Sequence, residues 1–423
     1  MPTRSSTSNS IERSIRPSTV AANPTVARLG ETLTAPIPTS PSVPPHLTIS
    51  SPHLEAKLTK CSPGTLRWVQ KGRQVGMCDC LVALSDATDG RTTLFAKNSD
   101  RPAHEVQDVV WTPPRLDRSS ISATHIDVAA HHTDTFGHLS IQPRWMWGVE
   151  GGVNEAGVAI GNERITTTLD PRLLPDALTG MDLVRLALER AVDAAAAVET
   201  IVDLLGHYGQ GGSGEADRHA PYWSSFLITD GTYAYKLDTS GRAWECEQVP
   251  SVGAVSNRTS IASFDAEHRH PHQPVATLVD PRFMCSLDAL TERPVTLRAL
   301  RAWQCSHTHH PDAPGWSVCM HVTQRGHEQL TTAAMIAELP DGETRVRQRP
   351  RVWVTLGSPC LSVAVPITVG EPVGAVPPGE RFARLEDHHR SDLDELQTWL
   401  DAELLPPDEA WREVTATLDR LGL

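Results

Sequence analysis

Met77 and Cys78 are the first residues in the chain whose types suggest catalytic chemistry. A cysteine at a mature N-terminus carries a thiol and an α-amine, and the free amine has a pKa of about 7.7 to 8.0. The amine can therefore act as base for its own thiol, and the resulting thiolate is a nucleophile. A chain that starts at Met77 would expose Cys78 by ordinary N-terminal Met removal. A buried strand cysteine is the common alternative for Cys78, and Cys80 is a second candidate nucleophile.

Further polar side chains follow predicted strands and turns. Lys97 and Asp100 end a strand that a hairpin brings back beside Cys78. There a carboxylate could hold an α-ammonium, and a cation could bind a substrate carboxylate. Asn154, in a Gly-flanked turn, could donate to a developing oxyanion, and Asn257 offers a second amide at a strand end. Each cluster taken alone is also an ordinary turn or strand end.

The other cysteine and histidine residues have no metal-binding spacing. Cys78 and Cys80 are the only close cysteine pair, and no second pair completes a zinc site. We interpret the His-rich segments 305–310 and 268–272 as solvated loops and the Cys-x-His pair that starts at Cys319 as core. We therefore expect neither a metal nor a cofactor.

The composition limits the classes of partner. The 423 residues carry a formal net charge of -13, which argues against a nucleic-acid partner. No apolar run is long enough for a transmembrane helix, and the N-terminus lacks the apolar core of a secretory signal. Scattered cysteines suit a reducing compartment. We predict a soluble, cytoplasmic protein with no membrane partner, and the oligomeric state stays open.

Residues 1–77 differ in composition from the rest of the chain. They are rich in Ser, Thr and Pro and show little apolar periodicity. Such a segment cannot bury enough surface to offset its ordering entropy. We predict a disordered leader over residues 1–77, either a propeptide, a tail, a transit peptide or the product of a misplaced start codon, and one folded domain over residues 78–423.

The patterning of apolar residues predicts the elements that would position these groups. Predicted strands cover residues 81–84, 93–96, 105–111, 157–160, 225–230, 232–238, 243–249, 253–257 and 351–356. Helical spacing predicts one long helix over 181–205, followed by a glycine-rich loop at 209–214. It also predicts a short helix over 331–339 and a helix capped by Ser391. Strands that bracket helices, with tight hairpins, predict stacked antiparallel sheets faced by helices.

Taken in order, these motifs resemble the secernins. The matching segments begin with C-D-C-L-V-A-L at Cys78, F-A-K-N-S-D-R-P at Phe95, E-V-Q-D-V-V at Glu105 and N-E-A-G-V at Asn154, and the likeness extends to about Pro366. Secernins are similar to the cysteine-type dipeptidases of the N-terminal-nucleophile (Ntn) hydrolase superfamily. Two departures are the long segment before Cys78 and the G-S-G at 212–214, where G-N-C is frequent.

The resemblance implies an α+β fold, a four-layer αββα sandwich preceded by a disordered extension. It also implies a cysteine-type dipeptidase or other amide hydrolase that acts on a small peptide or amide without a cofactor. Carried over by position, Cys78 is the nucleophile, Asp100 orients its amine, Asn154 donates to the oxyanion and Asn257 is a second polar site residue. Lys97 stands where relatives often have Arg and is a candidate for substrate binding.

Three alternatives remain open. The chain could be a secernin-like protein with a modified N-terminal cysteine and no peptidase activity. It could be an acylase that acts on a non-peptide amide. It could also be a binding protein that retains its leader and never exposes an amine.

Overall fold

The structure is a computed structural model that describes residues 77–90, 92–116, 119–129, 134–324, 327–342, 344, 348–402 and 406–423. The predicted leader, residues 1–77, lies outside these ranges except for Met77. All described residues belong to one compact unit of the chain.

The described residues form strands β1–β16, helices α1–α9 and short 3-10 turns. The strands are β1 (Asp79–Ala83), β2 (Thr92–Pro102), β3 (Gln107–Thr112), β4 (Ile121–Ser122), β5 (Asp127–Val128), β6 (His138–Pro143), β7 (Gly151–Asn154), β8 (Ala159–Ile165), β9 (Trp223–Thr229), β10 (Ala234–Ser240), β11 (Ala243–Val249), β12 (Val252–Val255), β13 (His321–Gln324), β14 (His327–Pro340), β15 (Arg351–Leu356) and β16 (Ala364–Thr368). The helices are α1 (Gly180–Arg190), α2 (Ala194–Tyr208), α3 (Ala262–His268), α4 (Val275–Leu278), α5 (Asp280–Asp288), α6 (Leu297–Gln304), α7 (Gly379–Phe382), α8 (Arg390–Ala402) and α9 (Pro407–Arg420). The 3-10 turns are Pro171–Leu173, Pro359–Leu361 and Asp387–His389.

Two antiparallel sheets face each other. The first has the order β12-β1-β2-β14-β15-β16, with β13 paired to β14, and the second has the order β11-β10-β9-β8-β7-β6-β3. A shared apolar core joins their inner faces, with Phe95 from the first sheet and Leu139 from the second among its members. Helices α1 and α2 cover the outer face of the second sheet, and α5 and α6 cover that of the first. These layers confirm the predicted four-layer αββα sandwich.

The β1–β2 hairpin has the alternation expected of a strand pair buried on both faces. Cys80 and Val82 point into the core between the sheets, whereas Leu81 and Ala83 pack against the outer helices. Cys80 is opposite Lys97 in the register of the pair. The hairpin therefore brings the end of β2 beside the start of β1, as the sequence predicts.

The helix predicted over 331–339 is wrong, because these residues lie in the middle of β14. This strand pairs with β2 on one side and β15 on the other. Ala, Met, Leu and Glu favour helices locally, but a central position between two strands overrides a propensity of a few tenths of a kcal/mol per residue. A bulge between Thr331 and Ala333 shifts the register beside the end of β2, and bulges often occur next to active sites.

The single helix predicted over 181–205 is two helices, α1 and α2. Ala191 adopts an extended backbone, and the Asp193 side chain caps α2 by accepting from the Ala196 N–H. This capping stabilises the start of a second helix at a point where apolar periodicity alone predicts one continuous helix. Ser391 is likewise inside α8, which begins at Arg390, rather than at its cap.

Candidate active site

Cys78 immediately precedes β1 and is held against the end of β2. The backbone N–H of Asp100 donates to Cys78 Sγ at 3.4 Å. The Cys78 side chain is buried, and burial raises the pKa of its thiol to about 12, although Lys97 lowers it. The thiol of the chain that still carries Met77 is therefore neutral near pH 7 and is a weak nucleophile.

Asp100 has one carboxylate oxygen with a partner and one without. Thr331 Oγ1 donates to Asp100 Oδ1 at 2.6 Å, whereas Oδ2 is buried with no hydrogen-bond partner among the residues that the structure describes. Burial raises the pKa of Asp100 well above its ordinary value, against the opposing effects of Arg282 and the Thr331 hydrogen bond. Leaving a buried acceptor unpaired costs about 1–3 kcal/mol, so a donor that reached Oδ2 would be held firmly.

Lys97 is buried and does not line the cavity beside Cys78, so the structure does not place it where it could bind substrate directly. Its Nζ donates to Asn162 O at 2.7 Å and lies 3.4 Å from Glu163 Oε1. Burial alone would lower the pKa of Lys97, but the thiols of Cys78 and Cys80 and the nearby acids outweigh burial, and the pKa is raised. Burial also raises the pKa of Glu163, to about 7, although Lys97 opposes this effect.

Asn154 is not brought to Cys78. Its amide Nδ2 donates to Leu188 O at 2.9 Å and to Ala191 O at 2.8 Å, and its Oδ1 accepts from the Val158 N–H. These contacts tie the β7–β8 turn to the carboxyl end of α1. The expected oxyanion role therefore has no support in the geometry, because both amide hydrogens of Asn154 are already donated to backbone carbonyl groups.

Asn162 is the amide that the structure places beside Cys78. Asn162 lies in β8, is buried and lines the same cavity as Cys78. Its side chain makes no hydrogen bond to any described residue, and Oδ1 is buried without a partner. The Asn-Glu pair at 162–163 is visible in the sequence, but a second Asn-Glu pair eight residues earlier looks equivalent until strand direction is known.

Arg282 is a buried residue of the site that the sequence analysis misses. From α5 it donates through Nη2 to Cys78 O at 2.9 Å, to Asp79 Oδ2 at 2.6 Å and to Asn257 Oδ1 at 3.0 Å. Asn257 in turn donates to Arg164 O at 2.9 Å. Asn257 therefore lies near the predicted nucleophile but supports Arg282 rather than facing the thiol. The sequence offers no signal for α5, so the partner of Asp79 could not be foreseen.

The cavity beside Cys78 is narrow and carries charges of both signs. Its lining residues are Cys78, Asp100, Arg101, Pro102, Glu150, Asn162, Arg164, Gly214, Glu215 and Tyr222. Arg101 donates to Glu150 at 2.5 Å and to Gly214 O at 2.7 Å. The free volume is about 20 Å³, room for about one water molecule. A substrate therefore needs additional space.

Met77 occupies an apolar pocket next to the nucleophile. Its side chain is only 1% exposed. The buried neighbours in its cluster are Leu278, Val279, Ala313, Trp316, Met320 and Val322. Removing Met77 would open this apolar space directly beside Cys78.

Comparisons with known proteins find similar solved structures, but no protein-family model matches the chain. Penicillin V acylase from Agrobacterium tumefaciens is 12% identical over 69% of this chain and 86% of that chain, with a TM-score of 0.42. The Caenorhabditis elegans ortholog of N-acylethanolamine-hydrolyzing acid amidase is 11% identical over 66% of this chain and 99% of that chain, with a TM-score of 0.38. A mutant of conjugated bile acid hydrolase from Clostridium perfringens is 9% identical over 69% of this chain and 92% of that chain, with a TM-score of 0.42. At these identities and TM-scores, the likenesses carry no functional assignment.

None of the described helices combines the length and the apolar character needed to cross a bilayer. The cytoplasmic location stays a prediction.

Proposed function

We propose that the chain is the precursor of an N-terminal-nucleophile amide hydrolase, activated when the Met77–Cys78 bond is broken. The observation that carries this proposal is Oδ2 of Asp100, which is buried without a partner among the described residues and belongs to a residue that lines the same cavity as Cys78. Breaking the bond would create an α-ammonium group at Cys78, a donor for that oxygen. The ion pair would satisfy the orphan acceptor and fix the new N-terminus.

The free α-amine supplies the base that the precursor lacks. The nitrogen of a peptide bond cannot accept the thiol proton, and burial holds the pKa of Cys78 at about 12. A terminal amine with a pKa of about 7.7 to 8.0 can accept it. Activation is therefore coupled to processing. Cleavage of the Met77–Cys78 bond creates one α-amine, which is both the base for the thiol and the partner of Asp100.

The reaction that follows is acyl transfer in two stages. Cys78 Sγ attacks the substrate carbonyl carbon while the α-amine takes the thiol proton. The Asn162 amide and a backbone N–H stabilise the oxyanion. The C–N bond breaks as the α-ammonium returns a proton to the leaving amine. Water then attacks the thioester, the C–S bond breaks, and the acid is released.

Self-processing would use the same sulfur but a different proton acceptor, because the α-amine does not exist before the bond is broken. Attack of Cys78 Sγ on the Met77 carbonyl carbon would shift the acyl group from nitrogen to sulfur, and water would cleave the thioester. Met77 would then be the acyl group of that thioester, seated in its apolar pocket. The substrate acyl group would occupy the same place on the same sulfur, so an apolar acyl side chain fits best.

We propose as substrates small peptides, namely dipeptides with an apolar first residue, as for a cysteine-type dipeptidase of the secernin kind. The cavity places Arg101 and Arg164 close to Glu150 and Glu215. Charges of both signs suit a ligand with an amine and a carboxylate. The second candidate is an acylase for a non-peptide amide, which the apolar pocket of Met77 favours.

A chain that begins at Cys78 tests the proposal. It is made from a start at Met77 by normal Met removal and assayed beside the matched Cys78→Ala chain. The panel compares Met-Ala and Leu-Ala with Asp-Ala and Lys-Ala, and with acyl amides that have no peptide bond. Cleavage of the apolar dipeptides by the parent alone supports the dipeptidase, and cleavage of only the acyl amides supports the acylase. Full activity in Cys78→Ala, or none in a parent whose mass shows a free N-terminal cysteine, would overturn the proposal.

A further inference from the structure

Four potential metal ligands converge outside the set of residues that line the Cys78 cavity. His307, Cys319, His321 and Cys360 each offer one ligand atom, and these atoms all lie within 4.8 Å of one another. His321 Nε2 is 3.5 Å from Cys319 Sγ and 3.2 Å from Cys360 Sγ. His307 is exposed and Cys319 is buried, as the sequence predicts for a solvated loop and for core, but the fold also brings these distant segments of the chain together.

The spacing of the donor atoms fits a tetrahedral metal site. With Zn–S near 2.3 Å and Zn–N near 2.0 Å, tetrahedral geometry places sulfur and nitrogen about 3.5 Å apart. The His321–Cys319 and His321–Cys360 separations are close to that value. These two separations already match, whereas donor atoms at the 4.8 Å limit of the cluster would move about 1 Å closer to accept an ion.

The donor set selects the metal. Two thiolates and two imidazoles in a tetrahedral arrangement are typical of Zn²⁺. Cys319 and Cys360 are buried, His321 is half-buried and His307 is exposed. Two thiolates would neutralise the charge of Zn²⁺ in this partly buried place, and four protein ligands would leave no open coordination position. This arrangement is typical of structural rather than catalytic zinc.

We propose that His307, Cys319, His321 and Cys360 form a structural Zn²⁺ site. The ion would join the loop after α6, the start of β13 and the 3-10 turn Pro359–Leu361. In the free protein, two buried thiols facing imidazoles contribute only weak hydrogen bonds. Metal binding would replace these contacts with four coordinate bonds that hold the three segments in one geometry.

The loop that this ion would fix is also a wall of the candidate active site. Met320 lies between two of the ligands, packs in the Met77 cluster, and donates from its N–H to Thr331 Oγ1 at 2.9 Å. Thr331 then donates to Asp100 at 2.6 Å. The zinc site would therefore position Asp100 and the apolar pocket through Met320, without contact with substrate.

Zinc content tests the site independently of any hydrolytic activity. The full chain is purified without a polyhistidine tag from zinc-supplemented cells, dialysed, and measured by inductively coupled plasma mass spectrometry. We expect close to one zinc per chain, and a roughly tenfold or greater loss in Cys319→Ser and Cys360→Ser. The matched controls Cys246→Ser and His309→Ala lie outside the cluster and should keep their zinc.

Two measurements on the unsubstituted protein guard against variants that fail to fold. Co²⁺ exchanged into the site should give the visible bands of tetrahedral cobalt and a thiolate charge-transfer band. Cys319 and Cys360 should react with a thiol reagent only after a chelator is added. The proposal is contradicted if the reduced wild-type chain binds no zinc or cobalt, or if both thiols react freely in the presence of zinc. A Cys319–Cys360 disulfide in protein prepared under reducing conditions would also contradict it.

Discussion

The Asp100 N–H donates to Cys78 Sγ at 3.4 Å, while Oδ2 of the same aspartate is buried without a partner among the described residues. Asp100 thus contacts the predicted nucleophile through its backbone, and its side chain lines the same cavity as Cys78. This arrangement has a use once Cys78 carries a free α-amine, and none that we can identify while the peptide bond to Met77 is intact.

Asp100→Asn should lower kcat by roughly a hundred- to ten-thousand-fold, the range for loss of positioned acid–base chemistry. The carboxylate stabilises the α-ammonium and raises its pKa, so its removal should move the acid limb of the pH–rate profile to lower pH. The measurement is the pH–rate profile of chains that begin at Cys78. Asp108→Asn, which alters an ion pair with Arg144, is the control and should leave the profile in place. An unchanged acid limb in Asp100→Asn would show that Asp100 does not raise the pKa of the α-amine and has no part in the mechanism.

Asn162→Ala and Asn154→Ala should have opposite effects. Loss of an oxyanion donor typically costs about a hundred- to a thousand-fold in kcat, which we expect for Asn162→Ala with little change in thermal stability. Asn154→Ala removes two hydrogen bonds to α1, and each unpaired buried carbonyl costs about 1–3 kcal/mol. That variant should melt earlier yet keep its kcat at a temperature where it is folded. Kinetics and thermal denaturation measure both effects. A large loss of kcat in Asn154→Ala, with kcat unchanged in Asn162→Ala, would support Asn154 as the oxyanion donor.

The buried pair Lys97–Glu163 should behave as one structural unit. Breaking a buried ion pair from one side costs about 3–5 kcal/mol, whereas replacing both partners costs far less. Lys97→Met and Glu163→Gln should therefore each destabilise the chain strongly, and the double variant should be more stable than the sum predicts. Denaturant unfolding measures the cycle. The partly exposed pair Lys236–Glu247 is the control and should couple by about 1 kcal/mol or less. Additive effects at Lys97 and Glu163 would argue against a structural ion pair.

The thiol of Cys78 should be far less reactive before processing than after it. A pKa of about 12 in place of the ordinary 9.0 lowers the thiolate fraction at pH 8 by roughly a thousandfold. Met77→Leu, expressed with a Met in front, prevents exposure of Cys78 by Met removal because Met is not removed before Leu, and intact mass selects the chains in which Cys78 is still in a peptide bond. Its alkylation by iodoacetamide should be slow and should rise about tenfold per pH unit up to about pH 12. The chain that begins at Cys78 should react much faster near pH 8. Equal rates in the two chains would show that the α-amine does not activate the thiol.

The sequence predicts the parts of the site that depend on local patterns. Cys78, Asp100 and their hairpin follow from adjacent strands and a turn, and the structure places them in contact. Asn162 and Asn154 could not be distinguished, since each follows apolar residues and precedes Glu, and only the sheet order shows which one faces Cys78. The sequence of β14 predicts a helix because its small apolar residues suit either a helix or a strand. Pairing with β2 and β15 then favours the strand. Arg282 and the four-ligand cluster come from segments far apart in the chain, and no spacing within one segment reveals them.

The central claim is that the active species begins at Cys78, and the mass of that species tests it most directly. Protein purified after expression of the full chain is separated by activity on the best amide of the panel, and the active fraction is measured intact and by N-terminal sequencing. We predict that activity elutes with chains whose first residue is Cys78. If full activity resides in chains still joined through the Met77–Cys78 peptide bond, the α-amine is not the base and the account is contradicted.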